Sequence, residues 1–236
     1  METKLPEIYR LVSELFVHPK RRDRQRIDRL WPALEEGPSA VRIPVESFDS
    51  SEAAWSADEY VQTLELAPPC PLYLGAYLFD EPGTCRGAGV SDRNGYLVEL
   101  TNMYRHFGLE LTGGELPDFV PIALEFLALT VEVDDQKDAS LRRYFIDEKF
   151  RPALEPFREQ LDDYESVYAN LVGALETLIA IDWRTMTDAP VWRPPTDEAE
   201  PPTMSCSERL CSGPADGGSL PCAPPSDQTA TANPNS

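Results

Sequence analysis

Two histidines and five cysteines are the residues through which this chain could do nucleophilic, acid–base or metal chemistry. Neither histidine has a partner set. His18 stands before a helix-ending proline, and His106 stands near a helix C-terminus, where a cation is mildly favoured by the dipole. The cysteines are Cys70, Cys85, Cys206, Cys211 and Cys222. They form no CxxC, and the spacing of the last three fits no zinc or iron–sulfur pattern. With no export signal in view, they read as reduced thiols. Two carboxylate groups, Glu132/Asp134/Asp135/Asp138 and Glu159/Asp162/Asp163/Glu165, fall between expected helices. They lack the glycine and the twelfth-position glutamate of a calcium loop and read as solvated surface. The chain contains no HExxH and no GxSxG, and the Gly87-Ala88-Gly89 pair lacks the third glycine and the following Lys-Ser/Thr of a phosphate loop.

Charge narrows the classes further. Lys+Arg is 21 against Asp+Glu 41, a formal net charge of −20. That excludes a general nucleic-acid binder, which must present a basic footprint to phosphates. An acidic surface attracts cationic partners over long range, and it equally serves solubility or a salt-rich host. The one basic run, Lys20-Arg21-Arg22-Asp23-Arg24-Gln25-Arg26, opens a helix and so stands against the dipole. It reads as a solvated face or as a contact for an acidic partner. No apolar run approaches the roughly 18 residues of a membrane span, and the opening METKLPEIYRLVSEL lacks the pattern of a secretory signal. By elimination the chain is expected to bind rather than to catalyse.

The elements that would position a binding surface are helical. Leu5, Ile8, Tyr9, Val12, Leu15 and Phe16 recur at three and four, and Ile27, Leu30, Trp31 and Leu34 line a second helix ended by Gly37-Pro38. Residues 40–56 are ambiguous. Ser56 and Glu59 have capping-box spacing for a helix over 58–66. Leu72 to Phe79 fits a strand or the start of a buried helix. Tyr96, Leu97, Leu100, Met103, Tyr104 and Phe107 predict a helix from Asp92 that Gly108 terminates. Asp118 suits the N-cap of a helix over 119–131, with Pro121 in its first turn. Residues 141–161 are helical in pattern but must restart or kink at Pro152 and Pro156, and a last helix is expected over 164–181. No alternating strand pattern emerges. The expected fold is a single all-α domain of seven to nine helices over residues 1–183. From Arg184 on, ten prolines and many Ser, Thr, Asp and Gly predict a disordered, Pro-rich tail over 184–236.

Three stretches carry a resemblance. They are Tyr60-Val-Gln-Thr-Leu64 with the Pro-Pro turn and Tyr73 after it; Tyr104-Arg105-His106-Phe107-Gly108-Leu109 followed by Glu115-Leu116-Pro117-Asp118-Phe119; and Phe150-Arg151-Pro152-Ala153-Leu154-Glu155-Pro156-Phe157. The second resembles the E-x-P-D-H signature of the TorD/DmsD/NarJ group of redox-enzyme maturation chaperones, with Phe119 where histidine is usual. The resemblance spans about residues 5–182. It implies a non-enzymatic, cytoplasmic chaperone that binds the twin-arginine signal peptide or N-terminal segment of a molybdopterin oxidoreductase's catalytic subunit until cofactor insertion is complete. It implies no permanently bound cofactor, only a transient contact with the molybdenum cofactor through the client, and a monomer or weak homodimer. The peptide-binding residues it suggests are Tyr60, Leu64, Pro69, Tyr73, Glu115, Pro117, Asp118 and Phe119. Each has a plainer reading: Asp118 as a helix cap, Tyr60 and Tyr73 as core, Pro117 as the setter of a turn, Glu115 as a solvated charge. A helical adaptor that binds a folded partner is the other function the pattern allows.

Overall fold

The computed structural model describes residues 4–66, 68–80, 91–132 and 135–192. Among them the fold is all-α. Helix α1 (Leu5–Leu15) forms because its apolar residues repeat at three and four, and it buries Leu5, Ile8, Tyr9, Leu11, Val12 and Leu15. Helix α2 (Arg24–Glu35) is capped by Asp23, whose carboxylate accepts the Arg26 N–H at 3.0 Å. The ambiguous stretch resolves into α3 (Ser39–Asp49) and a short 3₁₀ turn (Ala53–Trp55). Ser56 caps α4 (Ala57–Tyr60) by accepting the Glu59 N–H at 3.2 Å, and the helix continues as a π segment over Val61–Glu65. Helix α5 is a single turn (Gly75–Leu78), preceded by an isolated antiparallel bridge between Tyr73 and Phe119. The segment is thus extended first and helical after.

Helix α6 (Asp92–His106) ends as its glycine predicts. Gly108 has φ 72, its N–H bonds the Arg105 carbonyl at 2.9 Å, and the Leu109 N–H reaches back to Tyr104 at 2.9 Å. Helix α7 (Val120–Leu129) is apolar nearly all round and buries seven of its ten residues. Helix α8 (Gln136–Tyr144) runs through a π segment (Phe145–Phe150) into α9 (Arg151–Asp163). The wide turn sits directly before Pro152, which lacks the N–H a regular helix would use there. Counting such continuous runs once and leaving out the two 3₁₀ turns, Pro19–Arg21 and Ala53–Trp55, the described residues hold nine helices, within the expected seven to nine.

Helix α10 (Ala169–Thr185) starts and ends later than expected. Helix α9 overruns to Asp163, and Glu165 ends it at φ 50, with the Ser166 N–H bonded to the Leu161 carbonyl at 2.9 Å. No glycine marks this turn, so the pattern across 161–168 reads falsely as the start of the last helix. Packing also continues past Trp183. Met186 is buried and Trp192 lies on Tyr144 with ring centroids 4.4 Å apart. The part of the expected tail beyond residue 192, the Gly87-Ala88-Gly89 stretch and the cysteines Cys85, Cys206, Cys211 and Cys222 lie outside the described residues.

The core has α1 packed on α7 and α2, and α10 packed on α3 and α9. One buried polar knot ties these layers. Arg142 of α8 donates to both carboxylate oxygens of Asp182 of α10, at 2.7 and 2.9 Å, to the Thr130 hydroxyl and to the Leu127 carbonyl at the end of α7. Tyr9 of α1 donates to the same carboxylate at 2.6 Å. The knot fixes α7, and α7 carries the surface described next.

Candidate functional site

The Tyr73–Phe119 bridge joins two loops that are 46 positions apart in sequence. The Leu74 N–H bonds the Asp118 carbonyl and the Val120 N–H bonds the Leu72 carbonyl, each at 2.9 Å. The first free N–H of α7 is therefore met across the bridge rather than by a side-chain cap. Asp118 does not cap α7 as its position predicts. The N-cap is Phe119, and the Asp118 carboxylate turns the other way. Its Oδ2 accepts the Gly75 N–H at 3.0 Å and an Arg93 N–H at 3.1 Å. Asp118 is wholly buried, and its Oδ1 has no hydrogen-bond partner among the described residues. Burial pushes its carboxyl above the usual 3.8, against the pull of Arg93 and the Gly75 N–H.

Around this joint the Tyr73 ring lies 5.4 Å from Phe119, and the Tyr73 hydroxyl donates to Glu115 at 2.7 Å. Burial first, then Glu115, pushes that phenol up to about 12. The carbonyl of Pro117, itself buried, accepts the Tyr104 hydroxyl at 2.7 Å. Of the eight residues suggested by the sequence, five converge here: Tyr73, Glu115, Pro117, Asp118 and Phe119. Pro69 is half-buried in the loop before it. Tyr60 and Leu64 lie in the core. They are 3% and 4% exposed, and the Tyr60 hydroxyl donates to the Phe16 carbonyl. Cys70 is buried, and burial pushes its thiol up to about 11.

Beyond Tyr104 lies a groove of about 350 Å³ that the sequence reading missed. Its apolar lining includes Tyr104, Leu109, Leu111, Ile122, Phe126 and Leu129. Leu111 and Leu129 are 38% and 52% exposed, so part of this apolar lining faces water. Glu14, Glu110, Glu125 and Arg26 also line it. Arg26 donates to the Glu125 carboxylate and stands 3.6 Å from Glu14. The only sequence signals were Leu109 and Leu111 in the loop after Gly108 and a helix, VPIALEFLAL, with almost no polar face.

The other candidates resolve into structure. Arg22 of the basic run is buried. It donates to the Val17 and Ala54 carbonyls and to the Tyr168 hydroxyl, and its guanidinium lies 4.9 Å from the Trp55 ring centre. It is neither a solvated charge nor a partner contact. Asp135 caps α8 and Asp138 pairs with His106 at 2.8 Å. His18 accepts the Lys20 N–H and sets its ring edge against Tyr60. No group of His, Cys, Asp and Glu among the described residues is arranged to hold a metal. What joint and groove can do is bind an apolar segment beside a positive charge.

A family model described as nitrate reductase delta subunit matches residues 30–172. A curated relative, the probable nitrate reductase molybdenum cofactor assembly chaperone NarJ of Bacillus subtilis (strain 168), is 28% identical over 151 residues, covering 61% of this chain and 73% of that one. The family match takes in the whole joint and all of α6 and α7. On a match over more than half its length, the chain belongs to the nitrate reductase delta subunit family, the NarJ/TorD-type group that its Tyr104–Phe119 stretch resembles.

Proposed function

We propose that this chain is a maturation chaperone for a molybdopterin oxidoreductase. It holds the N-terminal segment of the catalytic subunit, a twin-arginine signal peptide where the client has one, while the molybdenum cofactor is inserted. The observation that carries this reading is the groove on α7, whose apolar lining includes two exposed leucines and lies beside three glutamates and Arg26. A segment with a basic end and an apolar run matches both features. The lining supplies burial at roughly 25 cal/mol per Å² of apolar surface removed from water. The acidic surface, net −20 over the chain, speeds encounter with a cation. The family match and the NarJ relative support the same reading.

The joint holds the loop 109–119 against α6 through the Tyr104–Pro117 bond, and so sets the mouth of the groove. In this role Tyr73, Glu115 and Phe119 extend the binding surface, Asp118 and Pro117 hold its shape, and Tyr60, Leu64 and Pro69 support it from behind. The chain works in the cytoplasm as a monomer or weak homodimer. It binds no cofactor of its own and meets the molybdenum cofactor only through its client. No helix among the described residues is long and apolar enough to cross a membrane.

The test is an affinity capture from the native cytoplasm at native ionic strength, with bound proteins identified by mass. The full chain is compared with Leu129→Glu, which places a charge in the groove at an exposed position. The expected result is one immature molybdoenzyme catalytic subunit on the full chain and little on the variant. Capture of folded partners alone, while that enzyme is being made, would replace the chaperone reading with that of an adaptor.

A further inference from the structure

We infer that Arg26 is an internal occupant of the carboxylate pair Glu14 and Glu125, and that a client arginine enters the groove by displacing it. This deepens the proposed function and rests on it. Three helices meet at this point. Arg26 comes from the first turn of α2, Glu14 from α1 and Glu125 from α7. A guanidinium therefore already sits where the groove offers two carboxylates. The chain's own wiring shows that the pair accepts one.

The three partners are not held alike. Glu14 is buried and fixed, since one of its oxygens also accepts the Asp23 N–H at 2.7 Å. Glu125 projects from α7, the helix held by the Arg142 knot, and has Arg10 within 3.8 Å. Arg26 and Glu125 are similarly exposed, at 36% and 34% of their side chains, and what sets Arg26 apart is its place at the positive end of α2, where the helix dipole opposes a cation. The Arg26–Glu125 pair, each side chain about a third exposed, contributes little, so it is the half of the arrangement that an incoming arginine can replace at small cost. The pair favours arginine over lysine, because the planar fork presents its donors in a fixed geometry and is weakly hydrated, whereas an ammonium is a compact, strongly hydrated point charge. The neighbouring apolar lining then takes the residues beside that arginine. With Arg26 removed, Arg10 remains 3.8 Å from Glu125, and Glu14 keeps the Asp23 N–H.

The experiment titrates the full chain with three labelled peptides that share one apolar ten-residue run, preceded by Arg-Arg, Lys-Lys or Gln-Gln. Binding is read by anisotropy for the wild type, Arg26→Ala, Arg26→Met and Glu125→Gln, each checked for an unchanged melting curve. Arg26→Met keeps the apolar stem of the side chain and carries the test should the alanine variant melt early. The expected result is that the wild type binds Arg-Arg best. Loss of Arg26 tightens that peptide about two- to five-fold and leaves Gln-Gln unchanged, while Glu125→Gln weakens Arg-Arg. If the wild type binds Arg-Arg but loss of Arg26 leaves it unchanged or weaker, the displacement is wrong and the chaperone reading survives. If no peptide binds any of these proteins, the peptide-groove reading falls and the displacement falls with it.

Discussion

The Oδ2 of Asp118 accepts the Gly75 N–H at 3.0 Å, and a Cβ added to residue 75 would stand 2.7 Å from that same oxygen. It would also stand 2.9 Å from Arg93 Nε. Residue 75 is a glycine because the carboxylate and the guanidinium already fill the space of a side chain. Gly75→Ala is therefore expected to destabilise by about 1–3 kcal/mol through overpacking. Gly95 is the control. It lies inside α6 with nothing within 4 Å of its added Cβ, so Gly95→Ala should stabilise by roughly 0.5–1 kcal/mol. Urea unfolding of both variants checks this. Equal effects of the same sign would mean that the Asp118–Arg93 pair gives way freely.

The same carboxylate predicts a pH dependence. Burial raises the Asp118 carboxyl above 3.8 in the folded chain. Between 3.8 and that raised value the folded state holds a proton that the unfolded state has lost. Stability from this group is thus fully present below 3.8 and is lost as pH rises through the folded value. Wild type and Asp118→Asn should be unfolded in urea across about pH 3.5 to 6, where the wild-type advantage is expected to shrink as pH rises. An advantage that grows with pH would mean that the Arg93 pair outweighs burial.

How far the sequence reads is a matter of range. Where a contact lies within one turn, spacing finds it. The apolar repeat of α1, the Ser56–Glu59 cap and the Gly108 terminus are all local, and all are present. The signature around Pro117 and Asp118 also lies at one surface with Tyr73. Direction is what sequence withholds. Asp118 has the type and position of an N-cap, but its carboxylate serves Gly75, 43 residues away. Arg22 sits among charged neighbours that suggest water, yet its partner Tyr168 is 146 residues on. The groove needs Glu14, Arg26 and Glu125 from three helices, so no single window contains it. Glu165 ends a helix at positive φ without the glycine that would have announced it.

The Arg142–Asp182 pair should behave as a buried ion pair whose halves depend on each other. Each side chain is 1% exposed, and the Tyr9 hydroxyl leans on the same carboxylate. Arg142→Met or Asp182→Leu alone leaves a charge in the core without its partner, at a cost of about 3–5 kcal/mol. The double variant removes both charges and is expected to lose far less than the sum of the two. Chemical denaturation of the four proteins closes the cycle. Additive losses would show that the two charges are uncoupled.

The last described residues should matter to stability although their composition reads as tail. Met186 is buried, and its sulfur lies 3.3 Å from an Arg142 guanidinium nitrogen. Arg143 donates to the Ala189 carbonyl at 3.1 Å, and Trp192 lies against Tyr144, whose hydroxyl is itself held by Glu99. This strap crosses α8 and closes over the charged end of the Arg142 knot. A chain ending at Trp183 loses the last two residues of α10, the buried Met186 and the aromatic pair. A chain ending at Trp192 keeps all three. Losing a buried methionine side chain costs about 2–5 kcal/mol, and the ring pair adds about 0.5–1.5 kcal/mol. At roughly 2–4 °C per kcal/mol for a domain of this size, the shorter chain should melt at least about 5 °C below the longer one. Calorimetry of the two truncated proteins decides it: coincident melting curves would mean that the helical domain is complete at Trp183 and that the strap rests on the surface without holding it.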